Sequence, residues 1–238
     1  MTGTYIIPGA LCATTSRPVD AGTMVRTASP APGYRGKTGS PRIHSKTKSR
    51  AHPKVQIDRS EQQRQRLQEN QAYAGNPNVK AFLAAIAEAE GGAPNLTFGG
   101  IKGRQNDPHI FTDFSTHPMA GKNGTTAAGS YQINVATWRE MGDKMGITDF
   151  TEDHQALMAI EIIRIKGAIE DVAAGDLIKA LPKVAGRWAA LPQGPGKGNR
   201  YPKQHYKSYE EFVKYFEAAG GKVKEEITNK VKSTKPAK

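Results

Sequence analysis

Between Asn76-Pro77 and Gly91-Gly92 the chain carries one short apolar stripe that ends in a carboxylate. At ~100° per residue, Val79, Phe82, Leu83 and Ile86 fall on one face of a helix. Glu90, four residues beyond Ile86, continues that face, whereas Glu88 points the other way. Asn76 reads as an N-cap, Pro77 as the first helical residue and the glycine pair as the stop. Any fold this chain adopts must therefore bury one side of that helix and deliver a Glu to its inner C-terminal end. Burial raises the pKa of such a carboxyl, and the negative helix end raises it further. A Glu so placed stays protonated near neutral pH and can donate a proton. The plainer alternative is a solvated residue in a last helical turn.

Charge divides the chain into a body and two appendages. The net charge is +12 over 238 residues. Residues 1–57 hold nine Lys/Arg against the single acidic Asp20, and residues 222–238 hold six Lys against two Glu. The body, 58–221, carries no net charge. The N-terminal arm is rich in Pro, Gly, Ser and Thr and has too little apolar periodicity to bury a core of its own. It is either a solvated extension or a dock for an anionic partner such as nucleic acid, lipopolysaccharide, teichoic acid or another protein. Cys12 is the one cysteine, so no intrachain disulfide forms, and stability has to come from the core. No apolar run of ~20 residues predicts a transmembrane helix, and the first residues lack a secretory signal pattern.

Along the body, residues 58–75 favour helix by propensity, but only Leu67 and Tyr73 offer apolar anchors, which predicts a polar linker or a helix that needs a partner. The catalytic-size domain is expected over 76–221. Glycines at 99–100 and 103 separate Leu96–Phe98 from His109–Asp113, the pattern of a small antiparallel hairpin. After Asn134 the pattern is helical: Val135–Met145, a long helix over Glu152–Ala173, a segment opened by Asp176 and broken at Pro182, a helical stretch over Val184–Leu191, and a helix opened by the capping-box spacing Ser208-Tyr-Glu-Glu211. The expected class is α+β, mostly helical with one small β element.

Four motifs occur in order: Ala89-Glu90-Gly91; Phe111-Thr-Asp113-Phe-Ser115-Thr-His117-Pro118; Thr126-Ala-Ala-Gly129-Ser130-Tyr131-Gln132-Ile-Asn134; and Arg187-Trp188-Ala-Ala-Leu191-Pro192. Together they resemble the phage lambda-type endolysins, lytic transglycosylases of the lysozyme superfamily. The Gly129-Ser-Tyr131-Gln132-Ile stretch also resembles the Gly-Leu-Met-Gln-Ile type motif of bacterial lytic transglycosylases. The resemblance spans roughly 78–221. The chain departs from the pattern at Ala89, where Ser is common, and at Ser130, where Arg can occur.

The resemblance implies a lysozyme-like domain that cleaves the glycan strands of peptidoglycan, with Glu90 as its acid. It implies attack by the sugar's own C6 hydroxyl and a 1,6-anhydro product, so that no second carboxylate is needed. Asp113 is the candidate for a second carboxylate in a hydrolytic lysozyme; its alternative is a turn Asp bonding local amides. Substrate-binding candidates are Asp113, Ser115, Tyr131, Gln132 and Trp188. Tyr131 and Gln132 are assigned to the cleft by motif position, Trp188 is divided between cleft and core, and Phe98, Phe111 and Trp138 are assigned to the core. His117 reads as a loop-fixing residue. No His or Cys spacing fits a metal site and no phosphate-binding loop occurs, so no cofactor is expected. The resemblance leaves the setting open: a phage virion component docked through its arm to virion proteins, or a free endolysin held in the host cytoplasm until lysis, whose arm meets the anionic envelope. A catalytically silent module with the same fold is the remaining alternative, which the presence of Glu90 disfavours.

Overall fold

Seven α-helices and a long irregular loop region make up the described residues, 58–119, 121–201 and 203–224, of a computed structural model. The helices are α1 (Arg59–Ala74), α2 (Pro77–Glu90), α3 (Val135–Met145), α4 (Glu152–Ile165), α5 (Ile169–Ala173), α6 (Leu177–Val184) and α7 (Tyr209–Ala218). The basic arm, 1–57, and the tail beyond 224 lie outside the described residues.

α2 is built as its sequence predicts. The Asn76 side chain accepts hydrogen bonds from the Asn78 and Val79 amides at 2.9 and 3.2 Å. Val79, Phe82, Leu83 and Ile86 are buried together with Ala81, Ala85 and Ala89. At the other end Gly91 adopts a left-handed conformation, φ 66°, and the Gly92 N–H reaches back to the Ala87 carbonyl at 3.1 Å. This closure satisfies a carbonyl that the helix end would leave open. α7 packs across α2, with Phe82 edge-on to Phe212 at 5.3 Å between ring centres. α4 crosses the core, and its stretch 157–163 is buried throughout, Leu157, Met158, Ile160, Ile162 and Ile163 among it.

α1 finds its partner in α3 and α4. The contact is mainly polar. Asn70 is fully buried and donates to Glu161 of α4 at 2.9 Å. Arg66 approaches the same carboxylate at 3.6 Å, and Arg164 bonds Asn70 and Glu69. Arg59 pairs with Asp143 at the end of α3, and the Tyr73 hydroxyl donates to Glu170 of α5.

Three expectations change. The hairpin does not form as strands among the described residues. Leu96 and Ile110 meet in one antiparallel bridge, and Thr97 bridges Ala128 on the other side. Pro108 has no N–H to extend a ladder, and the Asp107 carboxylate takes the amides of Ile101 and His109 instead. The helix expected over Glu152–Ala173 is split into α4 and α5, because Gly167 takes a left-handed φ of 65° and the Ala168 amide closes onto the Ile163 carbonyl. Pro182 does not break its helix but sits inside α6, and the chain after Val184 runs as turns rather than as a helix to Leu191.

Candidate active site

The two glycines after Glu90 have different tasks. Gly91 supplies the left-handed turn. Gly92 supplies closeness: a Cβ there would lie 2.3 Å from the Ser130 carbonyl oxygen and 2.7 Å from that of Gly129. The turn 129–132 is thus pressed directly onto the end of α2. That turn is closed by paired bonds between Ala128 and Ile133, 3.0 and 2.8 Å, and by the Gln132 amide on the Gly129 carbonyl at 3.2 Å. Gln132 carries a positive φ of 46°, a strained value for a residue with a side chain. Its Nε2 donates to the Gly129 carbonyl at 3.0 Å.

A third segment completes the assembly. The Trp188 indole N–H donates to the Tyr131 carbonyl at 3.0 Å. Two residues on, the Ala190 amide donates to Glu90 Oε1 at 3.1 Å. Three of the four sequence motifs are therefore tied together at the C-terminal end of α2, and the last of them reaches the Glu90 carboxyl through the Ala190 amide. Glu90 is half-buried. Burial pushes its pKa up to about 7, and the Ala190 amide, which favours the carboxylate, pulls the other way. No charged side chain contributes to the shift. Glu88 is exposed and pairs with Lys102 at 2.5 Å, clear of this site.

Tyr131 and Trp188 are 9% and 4% exposed. The cleft assignment of Tyr131 is therefore corrected: its ring belongs to the core, where burial also lifts the phenol pKa to about 12. Trp188 resolves to the core as well. Gln132 is half-exposed beside Glu90's helix end. Asp113 and Ser115 are not drawn into this assembly by any bond they make. The Asp113 carboxylate accepts the Ser115 amide at 2.8 Å in an exposed turn. The Ser115 side chain and amide hold the Asp113 pKa below its usual value. Phe111 is half-buried against Phe114 and Phe150, and the Trp138 indole N–H donates to the Asp149 carbonyl. His117 is fully buried and, lowered by burial, neutral; its Nδ1 accepts the Met119 amide, so its Nε2–H donates to the Ile133 carbonyl at 2.9 Å.

Gln155 is the residue that sequence reasoning missed. It lies on α4, fully buried, and bonds three loop segments at once. Its Oε1 accepts the Ser130 amide, and its Nε2 donates to the carbonyls of Pro94 and Phe150, each at 2.9 Å. Gly129 has to be glycine here, because a Cβ would sit 2.2 Å from Gln155 Oε1. No signal in the sequence marked it, since a polar residue in a helix reads as a surface residue until its distant partners are in place.

A family model described as Endolysin matches residues 80–223. The chain is 34% identical over 160 residues to the endolysin of Escherichia phage P2, across 60% of this chain and 93% of that protein. It is 30% identical over 162 residues to the endolysin of Escherichia phage lambda, across 63% of this chain and 96% of that one. Among solved structures it is similar to bacteriophage lambda lysozyme complexed with a chitohexasaccharide, with a TM-score of 0.50 and 29% identity over 63% of this chain and 97% of that one. α1 precedes the matched region.

Proposed function

The chain belongs to the Endolysin family, of the lambda type, and from that premise we propose that it is a peptidoglycan lytic transglycosylase with Glu90 as its proton donor. It is a lysozyme-like glycosidase that degrades the bacterial cell wall. The observation that carries the proton-donor reading is the Glu90 carboxyl, its pKa raised to about 7 by burial at the end of α2 and its Oε1 held by the Ala190 amide.

The chemistry needs only that group. Protonated Glu90 gives its proton to the glycosidic oxygen between MurNAc and GlcNAc as the C1–O bond breaks, and positive charge develops at C1 of the MurNAc. The C6 hydroxyl of the same sugar then attacks C1, and Glu90, now a carboxylate, takes the hydroxyl proton. A 1,6-anhydro ring closes, no water is consumed, and the carboxyl is ready again. Asp113 is read as a turn residue and not as a second catalytic carboxylate, a reading supported by its exposure and its bond from the Ser115 amide. Gln132 and Ser115 remain the candidates for polar contact with the glycan, as does the exposed rim of Asp113. Tyr131 and Trp188 support the cleft from behind.

Muropeptide mass spectra decide between the two outcomes of cleavage, since anhydro ends are one water lighter than reducing ends. Hydrated ends together with an inactive Asp113→Asn would replace this reading with a hydrolytic lysozyme. Glu90→Gln is expected to lower wall cleavage by ~10²–10⁴-fold, the usual effect of losing a general acid. Glu88→Gln, which loses only an exposed ion pair with Lys102, is expected to be silent.

The basic arm is proposed to serve attachment to a virion rather than catalysis, because nine of the chain's Lys/Arg precede a neutral body. Attachment to anionic envelope is the second reading. Purely electrostatic attachment weakens steeply towards 0.15 M salt, where the Debye length is ~8 Å, whereas a specific dock into a particle survives. Salt titrations against purified particles and against envelope separate the two, and mass spectrometry of particles tests virion residence directly.

A further inference from the structure

We propose that Trp188 is a positioning residue for the proton donor: its indole N–H, by holding the Tyr131 carbonyl, sets the 188–190 segment so that the Ala190 amide meets Glu90. The inference deepens the general-acid role of Glu90 and rests on it. Trp188 is 4% exposed, so its ring is closed to a sugar. Its single polar atom is spent on the 129–132 turn at 3.0 Å. Two residues later the same segment donates to Glu90 Oε1 through the Ala190 amide, at 3.1 Å. The turn it grips is itself immobilised, by Gln155 on the Ser130 amide and by the contact with Gly92. Beyond Ala190 the segment is braced by Asn199, whose Nδ2 donates to the Ala189 carbonyl at 2.9 Å, and by the Lys207 amide on the Ala190 carbonyl, also at 2.9 Å. The indole bond is thus the tie between a fixed turn and a donor aimed at the reacting group.

The chemistry of that donor follows from its partner. An N–H aimed at Glu90 does little for the protonated acid and much for the carboxylate that appears as the proton leaves. It therefore lowers the barrier to proton donation, as a fixed dipole does wherever charge develops. It also holds the carboxyl pKa lower than burial alone would leave it, and so sets the upper pH limit of activity. The ionisable groups on the surrounding elements do not confound this. Glu88 on α2 is paired with Lys102; Arg187 is exposed; Arg200 lies against Gly186; Tyr131 is neutral; and the Lys207 ammonium lies over the Tyr215 ring.

The test is Trp188→Phe in the full-length protein, which keeps an aromatic ring in the core and removes the N–H. The expected signature has two opposed parts. The activity plateau on the acid side falls roughly tenfold or more, while the basic limb of the pH profile moves up by roughly one unit. Ala190→Pro, which deletes the donor itself, is expected to give the same signature, and the double variant is expected to shift the limb no further than either alone. Carbon-13 NMR titration of the Glu90 carboxyl reads the same shift without requiring activity, so a weakened variant still reports. A raised KM with an unmoved limb would make Trp188 a sugar contact and overturn the proposal. A lower kcat with an unmoved limb would make it core packing alone, with the same consequence. Full activity in Glu90→Gln would overturn the general-acid reading and this proposal together, whereas an inactive Glu90→Gln beside an unmoved limb would overturn this one only.

Discussion

Glu90 should make the protein less stable as pH rises, and replacing it should remove that loss. The folded-state pKa is raised from 4.5 to about 7 by burial. A raised pKa means that the folded state holds its proton more tightly than the unfolded chain does. The stability this contributes is complete below pH 4.5 and is lost as pH climbs through about 7. At 1.36 kcal/mol per unit the full shift corresponds to roughly 3 kcal/mol, and water reaching a half-buried carboxyl brings that to about 2–3 kcal/mol. Glu90→Gln keeps an oxygen for the Ala190 amide and has no charge to bury. It should therefore melt with wild type below pH 4.5 and outlast it above about 7. At roughly 2–4 °C per kcal/mol for a chain of this size, the gap should reach roughly 5–10 °C. Thermal melts of both proteins across that range, read as the difference in Tm so that other titrating groups cancel, provide the measurement. Parallel Tm curves would refute the reasoning, because they would mean that Glu90 is as well solvated in the fold as in the open chain.

The remaining predictions address the packing around that group. Gly92→Ala places a Cβ 2.3 Å from a backbone oxygen, so it should cost about 1–3 kcal/mol and most of the activity; a denaturant midpoint equal to wild type would contradict the close approach. Gln155→Leu strips partners from the Ser130 amide and from two carbonyls, and should cost about 2–4 kcal/mol by urea unfolding. A chain shortened to start at Asp58 should keep full stability and activity on soluble glycan fragments. One started at Asn76 should lose about 2–4 kcal/mol, because Leu67 and Tyr73 of α1 would no longer cover the core; equal melting of the two would show that α1 is dispensable.

What could be read from the sequence was what the chain decides locally. Asn76-Pro77, the Val79–Ile86 stripe and Gly91-Gly92 specify α2 through side chains within a turn of one another, and Ser208 with Glu211 specifies the start of α7 in the same way. The candidate acid could be read because it extends such a stripe. Its hydrogen-bond donor could not: Ala190 is 100 residues away and contributes only backbone, which no residue identity announces. Tyr131 was misplaced because an aromatic in a cleft motif has the same sequence signature whether its ring faces out or in. The helix over Glu152–Ala173 was overextended because periodicity runs through Gly167, where one left-handed residue ends α4. Gln155 and the Asn70–Glu161 pair were not legible, since polar residues buried by partners from distant segments look like surface residues until those segments are in place.

α1 also determines how load would enter the domain. The chain before Asp58 joins a 16-residue helix fastened at its start to Asp143, and in its last turns to Glu161 and Glu170. A pull from the arm is therefore borne in shear along the α1 contact with α3 and α4, before any tension reaches Asn76. Glu90 lies at the opposite end of α2, 14 residues and so about 20 Å away. A load entering through α1 therefore meets the α3 and α4 contacts first, at the end of α2 far from Glu90.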